Sequence, residues 1–244
     1  MSERVLLTGA TSGIGRAVAR ALAQRGDRIV LASRSAAEVE RLARDLKQRY
    51  GAQVSSETFD ALDCASNRAL IDRCLTGGAL DGVIFCHGVM FEQAAAEADP
   101  QLAWEMTTVN LMSPIAILEA VVPHFEARQS GWLAAISSVA GDRGRRSNAL
   151  YGASKAALDT YLEGLEARLS NVGVRVTTVK PGPVDTRMTW GRDAPLVVKP
   201  ERVARDLLRG VRRGRSVVYT PWFWRPIMAV LCVLPRRLFR RLRL

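Results

Sequence analysis

Tyr151 and Lys155 stand four residues apart in the run Tyr151-Gly152-Ala153-Ser154-Lys155, and Ser138 precedes the tyrosine by thirteen residues. On a helix, residues with that spacing share a face, so the lysine ammonium stands beside the phenol. A free tyrosine titrates near about 10. A neighbouring cation favours the phenolate, and the expectation is that Lys155 draws the Tyr151 pKa toward working pH. The Ser138 hydroxyl then holds a reacting carbonyl oxygen. Tyr-x-x-x-Lys spacing alone fits a solvated surface pair equally well, so the elements that position these residues must decide.

Short β-rich runs alternate with helical patterns along the 244 residues, which predicts a parallel sheet covered by helices on both faces. Arg4-Val5-Leu6-Leu7-Thr8 reads as the first strand and Ile29-Val30-Leu31-Ala32 as the second. Further strands fall at 53–59, 82–86, 132–137, 174–180 and 216–219, giving about seven. Helical spacing runs through Ile14, Ala17, Val18, Ala21 and Leu22, and again through Val39, Leu42, Ala43 and Leu46. Two long helices fit 101–127 and 148–170. No internal repeat or linker divides residues 1–220.

Between the first strand and the first helix lies Thr8-Gly9-Ala10-Thr11-Ser12-Gly13-Ile14-Gly15. Glycines in that position let the backbone turn tightly and approach a pyrophosphate at the helix N-terminus, where the dipole favours anions. The fold class is therefore a doubly wound, Rossmann-type α/β sheet, and Gly9, Thr11, Ser12, Gly13, Ile14 and Gly15 are candidate cofactor contacts. An acid at the end of the second strand would bond a ribose 2′-hydroxyl, whereas arginine accommodates a 2′-phosphate. The chain has Ser33-Arg34-Ser35 there, which favours NADP(H) and leaves NAD(H) open. Asp60 and Ala61, after the third strand, are candidates to line the adenine.

The net charge of +11 is uneven. After Asp206 no acidic residue occurs and ten arginines follow, so the first 206 residues are nearly neutral. Cys64, Cys74, Cys86 and Cys232 show no metal-ligand spacing, and His87 and His124 are isolated. No metal site is expected. The N-terminus carries no signal-peptide pattern, which predicts a reducing, cytoplasmic setting. Residues 221–244 form a separate segment: Trp222-Phe223-Trp224, an apolar run from Ile227 to Leu234, then an arginine-rich end. The run is far short of the ~20 apolar residues that cross a bilayer. Aromatic and basic flanks instead suit lying at an anionic membrane surface. A terminal helix packed on the domain or on a partner subunit is the competing reading. Nucleic acid is not an expected partner.

Together these residues resemble the short-chain dehydrogenase/reductase family over residues 4 to about 220. The resemblance makes Asn110, Ser138, Tyr151 and Lys155 the catalytic set, with Asn110 holding a water near the lysine. It also assigns Tyr151 and Lys155 to the cofactor, together with Pro181, Gly182, Val184 and Thr186 in a segment that grips the nicotinamide. Where the family has Asn-Asn-Ala-Gly after strand four, this chain has Phe85-Cys86-His87-Gly88. Cys86 and Gly88 stay candidate cofactor contacts, while the turn must be held by different side-chain bonds. The implied activity is NAD(P)H-dependent reduction of a ketone, and the implied assembly a homodimer or homotetramer.

A narrower resemblance runs through 59–63, Gly141 to Asn148, Ala194-Pro195-Leu196 and Leu234 to Arg240. These stretches look like the decaprenylphosphoryl-2-keto-ribose reductase subfamily, whose ketone is a sugar on a polyprenyl phosphate. Arg143, Arg145 and Arg146 are then candidate phosphate ligands. Met188, with Trp190 and Arg192, lies in the expected substrate lid from Thr186 to Pro200. A reductase of another apolar ketone and a non-catalytic nucleotide-binding scaffold are the alternatives.

Overall fold

Seven short strands form the sheet, the inner five almost wholly buried and the edge strands β3 and β7 partly exposed: β1 (Arg4–Thr8), β2 (Arg28–Ser33), β3 (Val54–Thr58), β4 (Gly82–Phe85), β5 (Gly131–Ile136), β6 (Val174–Pro181) and β7 (Val217–Thr220). The structure, a computed structural model, describes residues 2–191 and 195–242. Arg192 and Ala194, both named above, lie outside the described residues, as does Arg243 in the arginine-rich end. The strands form one parallel sheet in the order β3-β2-β1-β4-β5-β6-β7.

The helices are α1 (Gly13–Gln24), α2 (Ala36–Tyr50), α3 (Cys64–Thr76), α4 (Gln93–Ala98), α5 (Pro100–Thr107), α6 (Ser113–Arg128), α7 (Ala149–Leu169), α8 (Pro200–Arg212), α9 (Trp224–Val233) and α10 (Arg236–Phe239). Alternate strand residues feed two cores. Val5, Leu7, Ile29, Leu31, Val179 and Val218 pack toward α1, α2 and α8. Leu6, Val30, Val83, Phe85, Leu133 and Val176 pack toward α3, α6 and α7. A sheet buried on both faces needs apolar residues at successive positions, which is why β1 reads Val-Leu-Leu without alternation.

One expectation changes, and one of the two readings of the C-terminal segment is met in part. The single helix expected over 101–127 is two helices joined by a π-helical stretch, Thr108–Met112, with Asn110 at its centre. The C-terminal segment is not a free tail. Trp224 and Met228 of α9 are buried against Val139, with Tyr219, Phe223, Ile227 and Leu231 around them.

The crevice lies where the strand order reverses, between β1 and β4. Their following turns touch so closely that a Cβ on Gly9 would lie 2.4 Å from the His87 nitrogen, and Gly9 sits at φ +66°. Deeper in the sheet, a Cβ on Gly82 would fall 2.2 Å from the ring of the buried Trp132. Gly82→Ala should therefore lower stability by about 1–3 kcal/mol, an overpacking cost. It would appear as an earlier urea midpoint with an unchanged m-value.

Candidate active site

The cofactor cradle is built from the turn after β1. Ser12 caps α1, its hydroxyl accepting from the Gly15 nitrogen at 3.0 Å, and no acid stands in the first turn of the helix. An acid-free helix N-terminus is a natural seat for a phosphate. Arg16 donates its Nε to the Thr11 carbonyl at 2.9 Å and braces the turn. The hydroxyls of Thr11 and Ser33 bond each other at 2.7 Å, tying the turn to the end of β2. Arg34 follows, exposed and without an ion pair among the described residues. Half-buried Thr186 folds over the turn from the far side, since a Cβ on Gly13 would meet its Cγ2 at 2.7 Å. Ile14 is partly buried against the core.

Asp60 Oδ1 accepts from the Leu62 nitrogen at 3.0 Å, and the Asp60 nitrogen donates to Ser66 Oγ at 3.3 Å. Asp60 thus shapes its own turn, with Ala61 half-buried beside it. The segment after β6 is equally self-braced. The Val184 carbonyl accepts from Thr186 and Thr189, and Val184 bridges to Val198. Pro181 ends β6, and Gly182 lies under the Trp224 indole, whose Nε1 a Cβ there would approach to 2.0 Å.

The departure after β4 has a physical account. His87 Nδ1 pairs with the Thr8 hydroxyl at 2.8 Å, and its ring packs edge-on against Phe59 and Phe85. Burial pushes this imidazole down to about 3, with the Lys155 charge adding to the effect, so it stays neutral. It is a structural tie between β1 and β4. Cys86 is buried and its thiol is pushed up to about 12, chiefly by that burial.

Tyr151, Lys155, Ser138 and Asn110 converge beside that turn. Lys155 is 3% exposed, yet its ammonium donates to the Ile136 carbonyl at 3.0 Å and stands 5.8 Å from the centre of the Tyr151 ring. Ser138 contacts the phenol of Tyr151. A Cβ on Gly88 would lie 3.1 Å from Asn110 Oδ1 and 3.5 Å from Lys155 Nζ, so only glycine leaves space in front of the lysine. Asn110 is fully buried, and its side chain is a clamp: it accepts from the Val89 nitrogen at 2.9 Å and donates to the Val89 carbonyl and Ser154 Oγ. Both amide hydrogens are thereby used, so a water near the lysine would need Asn110's remaining acceptors.

The expected depression of the Tyr151 pKa does not occur in this state. Burial pushes the phenol up to about 12, against a smaller pull from its hydrogen bond with Ser138. Burial also drives Lys155 down to about 8, with Asp159 opposing. Desolvation outweighs the pair's mutual attraction because both groups sit in the same dry pocket.

The arginines of the Ser138–Tyr151 loop do not act as a group. Arg143 donates to the Cys232 and Leu234 carbonyls at 2.9 and 3.0 Å and lies over the Phe239 ring. Arg145 is half-buried against the Met228 sulfur, and burial lowers its pKa. Only Arg146 is exposed. The first two are committed to the C-terminal helices, which short local sequence patterns could not reveal. Met188 is half-buried, whereas Trp190 is 66% exposed and bonds Asp185.

The family profile described as short chain dehydrogenase matches residues 3–196. The chain belongs to that family. As a short-chain dehydrogenase it is an NAD(P)-dependent oxidoreductase. It is 38% identical to an uncharacterized oxidoreductase of Streptomyces coelicolor, covering 98% of this chain and 95% of the other. An uncharacterized oxidoreductase of Mycobacterium tuberculosis is 36% identical, covering 98% and 96%. Among solved structures, a short-chain dehydrogenase from Sphingobium yanoikuyae in complex with NADPH superposes with TM-score 0.85 at 25% identity, covering 96% of this chain and 97% of that one.

Lys155 gives the dehydrogenase a readable pH signature. Between its folded pKa of about 8 and its ordinary 10.5 the unfolded chain binds the extra proton. Stability therefore rises with pH across that window, as the cost of burying the charge disappears. Wild type should gain stability relative to Lys155→Met from about pH 8 toward pH 10, measured as paired urea midpoints.

Proposed function

We propose that the dehydrogenase works as an NADP(H)-dependent reductase that turns a ketone into a secondary alcohol. The observation that carries this reading is the convergence of the buried Tyr151 phenol with the Ser138 hydroxyl and the buried Lys155 ammonium, with burial keeping the phenol protonated. A phenol kept protonated is a proton donor, which reduction requires. Ser138 and Tyr151 hold the carbonyl oxygen by hydrogen bonds, and Tyr151 delivers its proton as negative charge builds there. Lys155, one turn along α7, supplies the positive field. Asn110 fixes the Val89 backbone and Ser154, and so keeps the wall opposite Lys155 in place. The nicotinamide cofactor supplies the hydride when bound.

The glycine turn, the acid-free N-terminus of α1 and Gly88 support a dinucleotide. Exposed Arg34 at the end of β2, with no acid beside it, supports a 2′-phosphate and hence NADP(H), in keeping with the NADPH held by the Sphingobium yanoikuyae relative. Thr11, Ser12, Gly13, Ile14, Gly15, Ser33, Asp60, Ala61, Cys86, Pro181, Gly182, Val184 and Thr186 complete the cofactor site of this reading. Tyr151→Phe should cut NADPH oxidation with a ketone by about 10²–10⁴-fold, as loss of a positioned acid does, while leaving the NADPH dissociation constant nearly unchanged. Turnover persisting at wild-type rate would refute the assignment.

The finer reading is a keto sugar on a polyprenyl phosphate, met at the cytoplasmic face of a membrane. It rests on the stretches that look like the decaprenylphosphoryl-2-keto-ribose reductases and on the outer side of α9. There Trp222, Val230 and Val233 are 71%, 60% and 80% exposed. Arg225, Arg236, Arg237, Arg240 and Arg241 flank them, all exposed. Each such arginine adds on the order of 1 kcal/mol at an anionic leaflet. With Arg143 and Arg145 committed elsewhere, Arg146 is the loop arginine left for a phosphate. Assembly as a homodimer or homotetramer belongs to the family reading, supported by exposed Trp104 and Met112. Deleting the segment would also strip Trp224 and Met228 from their core, so surface variants are the cleaner probe. Val230→Glu with Val233→Glu should abolish flotation with phosphatidylglycerol liposomes while leaving NADPH binding intact.

A further inference from the structure

Tyr151, Lys155 and Asp159 follow one another at four-residue intervals on α7 and so share a helix face. The third of these has no part in the mechanism above, although it is well buried, its side chain 14% exposed. It is covered by the 3₁₀ turn Val139–Gly141, since a Cβ on Gly141 would lie 2.8 Å from Asp159 Oδ2. Beyond it the charges alternate. Lys180, in β6, places its ammonium 2.9 Å from Asp159 and 2.6 Å from Asp142. The other Asp142 oxygen accepts from the Tyr219 hydroxyl at 2.9 Å. Neither Asp159 oxygen has a well-aligned donor among the described residues, so its contact with Lys180 is an ion pair by distance.

We propose that Asp159 is a positioning residue for the catalytic pair: its carboxylate, kept ionised by Lys180, holds Lys155 as ammonium and Tyr151 as phenol. This is the protonation state that hands a proton to a ketone oxygen, and the proposal rests on the reductase reading above.

The groups around Lys155 single out Asp159. From α7 come Tyr151 and Asp159, from the end of β5 the Ile136 carbonyl, from the residue after that strand Ser137, and from the turn after β4 Cys86 and His87. Asn110 faces it from the π-helical stretch, and Lys180 and Asp142 stand behind Asp159. The Cys86 thiol and His87 are both neutral at working pH for the reasons given. Asp159 is then the anion that acts on Lys155. Its charge opposes the burial that lowers Lys155, and it adds to the burial that raises Tyr151. Burial raises Asp159 above the ordinary carboxylate range, and the Lys180 charge is the largest influence opposing that rise, with Ser137 assisting. A buried carboxylate without a cation loses its charge, so Lys180 is what makes Asp159 an effective counter-ion.

The test is a carbon NMR titration of the Lys155 side chain, assigned by its loss in Lys155→Met, in wild type, Asp159→Asn, Asp159→Glu and Lys180→Met. Wild type should titrate near pH 8. Asp159→Asn and Lys180→Met should each move that midpoint down by about one unit or more, the usual effect of losing a nearby opposite charge. Asp159→Glu should restore it. The ultraviolet tyrosinate signal missing from Tyr151→Phe should move down in the same two variants. An unchanged Lys155 midpoint in folded Asp159→Asn overturns the proposal. Should Asp159→Asn fail to fold by circular dichroism, an unchanged midpoint in Lys180→Met overturns it equally. These readouts need no substrate. An active Tyr151→Phe would sink the reductase reading while leaving the counter-ion role measurable.

Discussion

A lysine ammonium buried at 3% exposure is the constraint around which the rest of this molecule is arranged. An ammonium without partners in a dry interior loses its proton. The sheet offers the Ile136 carbonyl, left over where β5 ends, and α7 offers Asp159 one turn on. A side chain on residue 88 would fill the space in front of the ammonium, so glycine is needed there. Thus the end of β5, the face of α7 and the turn after β4 are coupled through one charge. Tyr151 in the same pocket remains a phenol, because desolvation acts on both groups in the direction of neutrality and is the largest influence on each.

That arrangement was only partly legible in the sequence. Buried parallel strands such as β1 and β2 announce themselves as apolar runs, and each of the seven strands lies within two residues of its expected bounds. The glycine turn and the pairing of Tyr151 with Lys155 could be read because turn chemistry and helix spacing are local, whereas Asn110 entered only through the family resemblance. The π-helical stretch around Asn110 could not, because Val109-Asn110-Leu111 has no composition that distinguishes an i to i+5 turn from an α-helix. Two helices went unread although they carried signals. Asp63 caps α3, accepting from the Ala65 and Ser66 nitrogens, and α8 opens on Pro200 and buries Val203, Leu207 and Val211 in register.

The pKa values show a different limit. Spacing said that Lys155 and Tyr151 were neighbours, and it implied the sign of their mutual effect. It carried nothing about how much water each would lose, and that loss is the larger influence on both. The same holds for Arg143 and Arg145. Read locally they are a basic loop suited to phosphate, but their partners lie about ninety residues away, at Cys232, Leu234 and Met228.

Those distant partners make the C-terminal helices part of the site's architecture. Trp224 lies on Gly182, in the segment expected to grip the nicotinamide, and packs beside Val139, the neighbour of Ser138. Cys232 donates to the Asp142 carbonyl, and Arg143 caps the carbonyls at the end of α9. Asp142 in turn holds Lys180, which faces Asp159. A continuous set of contacts therefore runs from the exposed apolar side of α9 to the buried lysine. The outer face of α9, the loop carrying Ser138 and the charges behind Lys155 therefore belong to one structural unit.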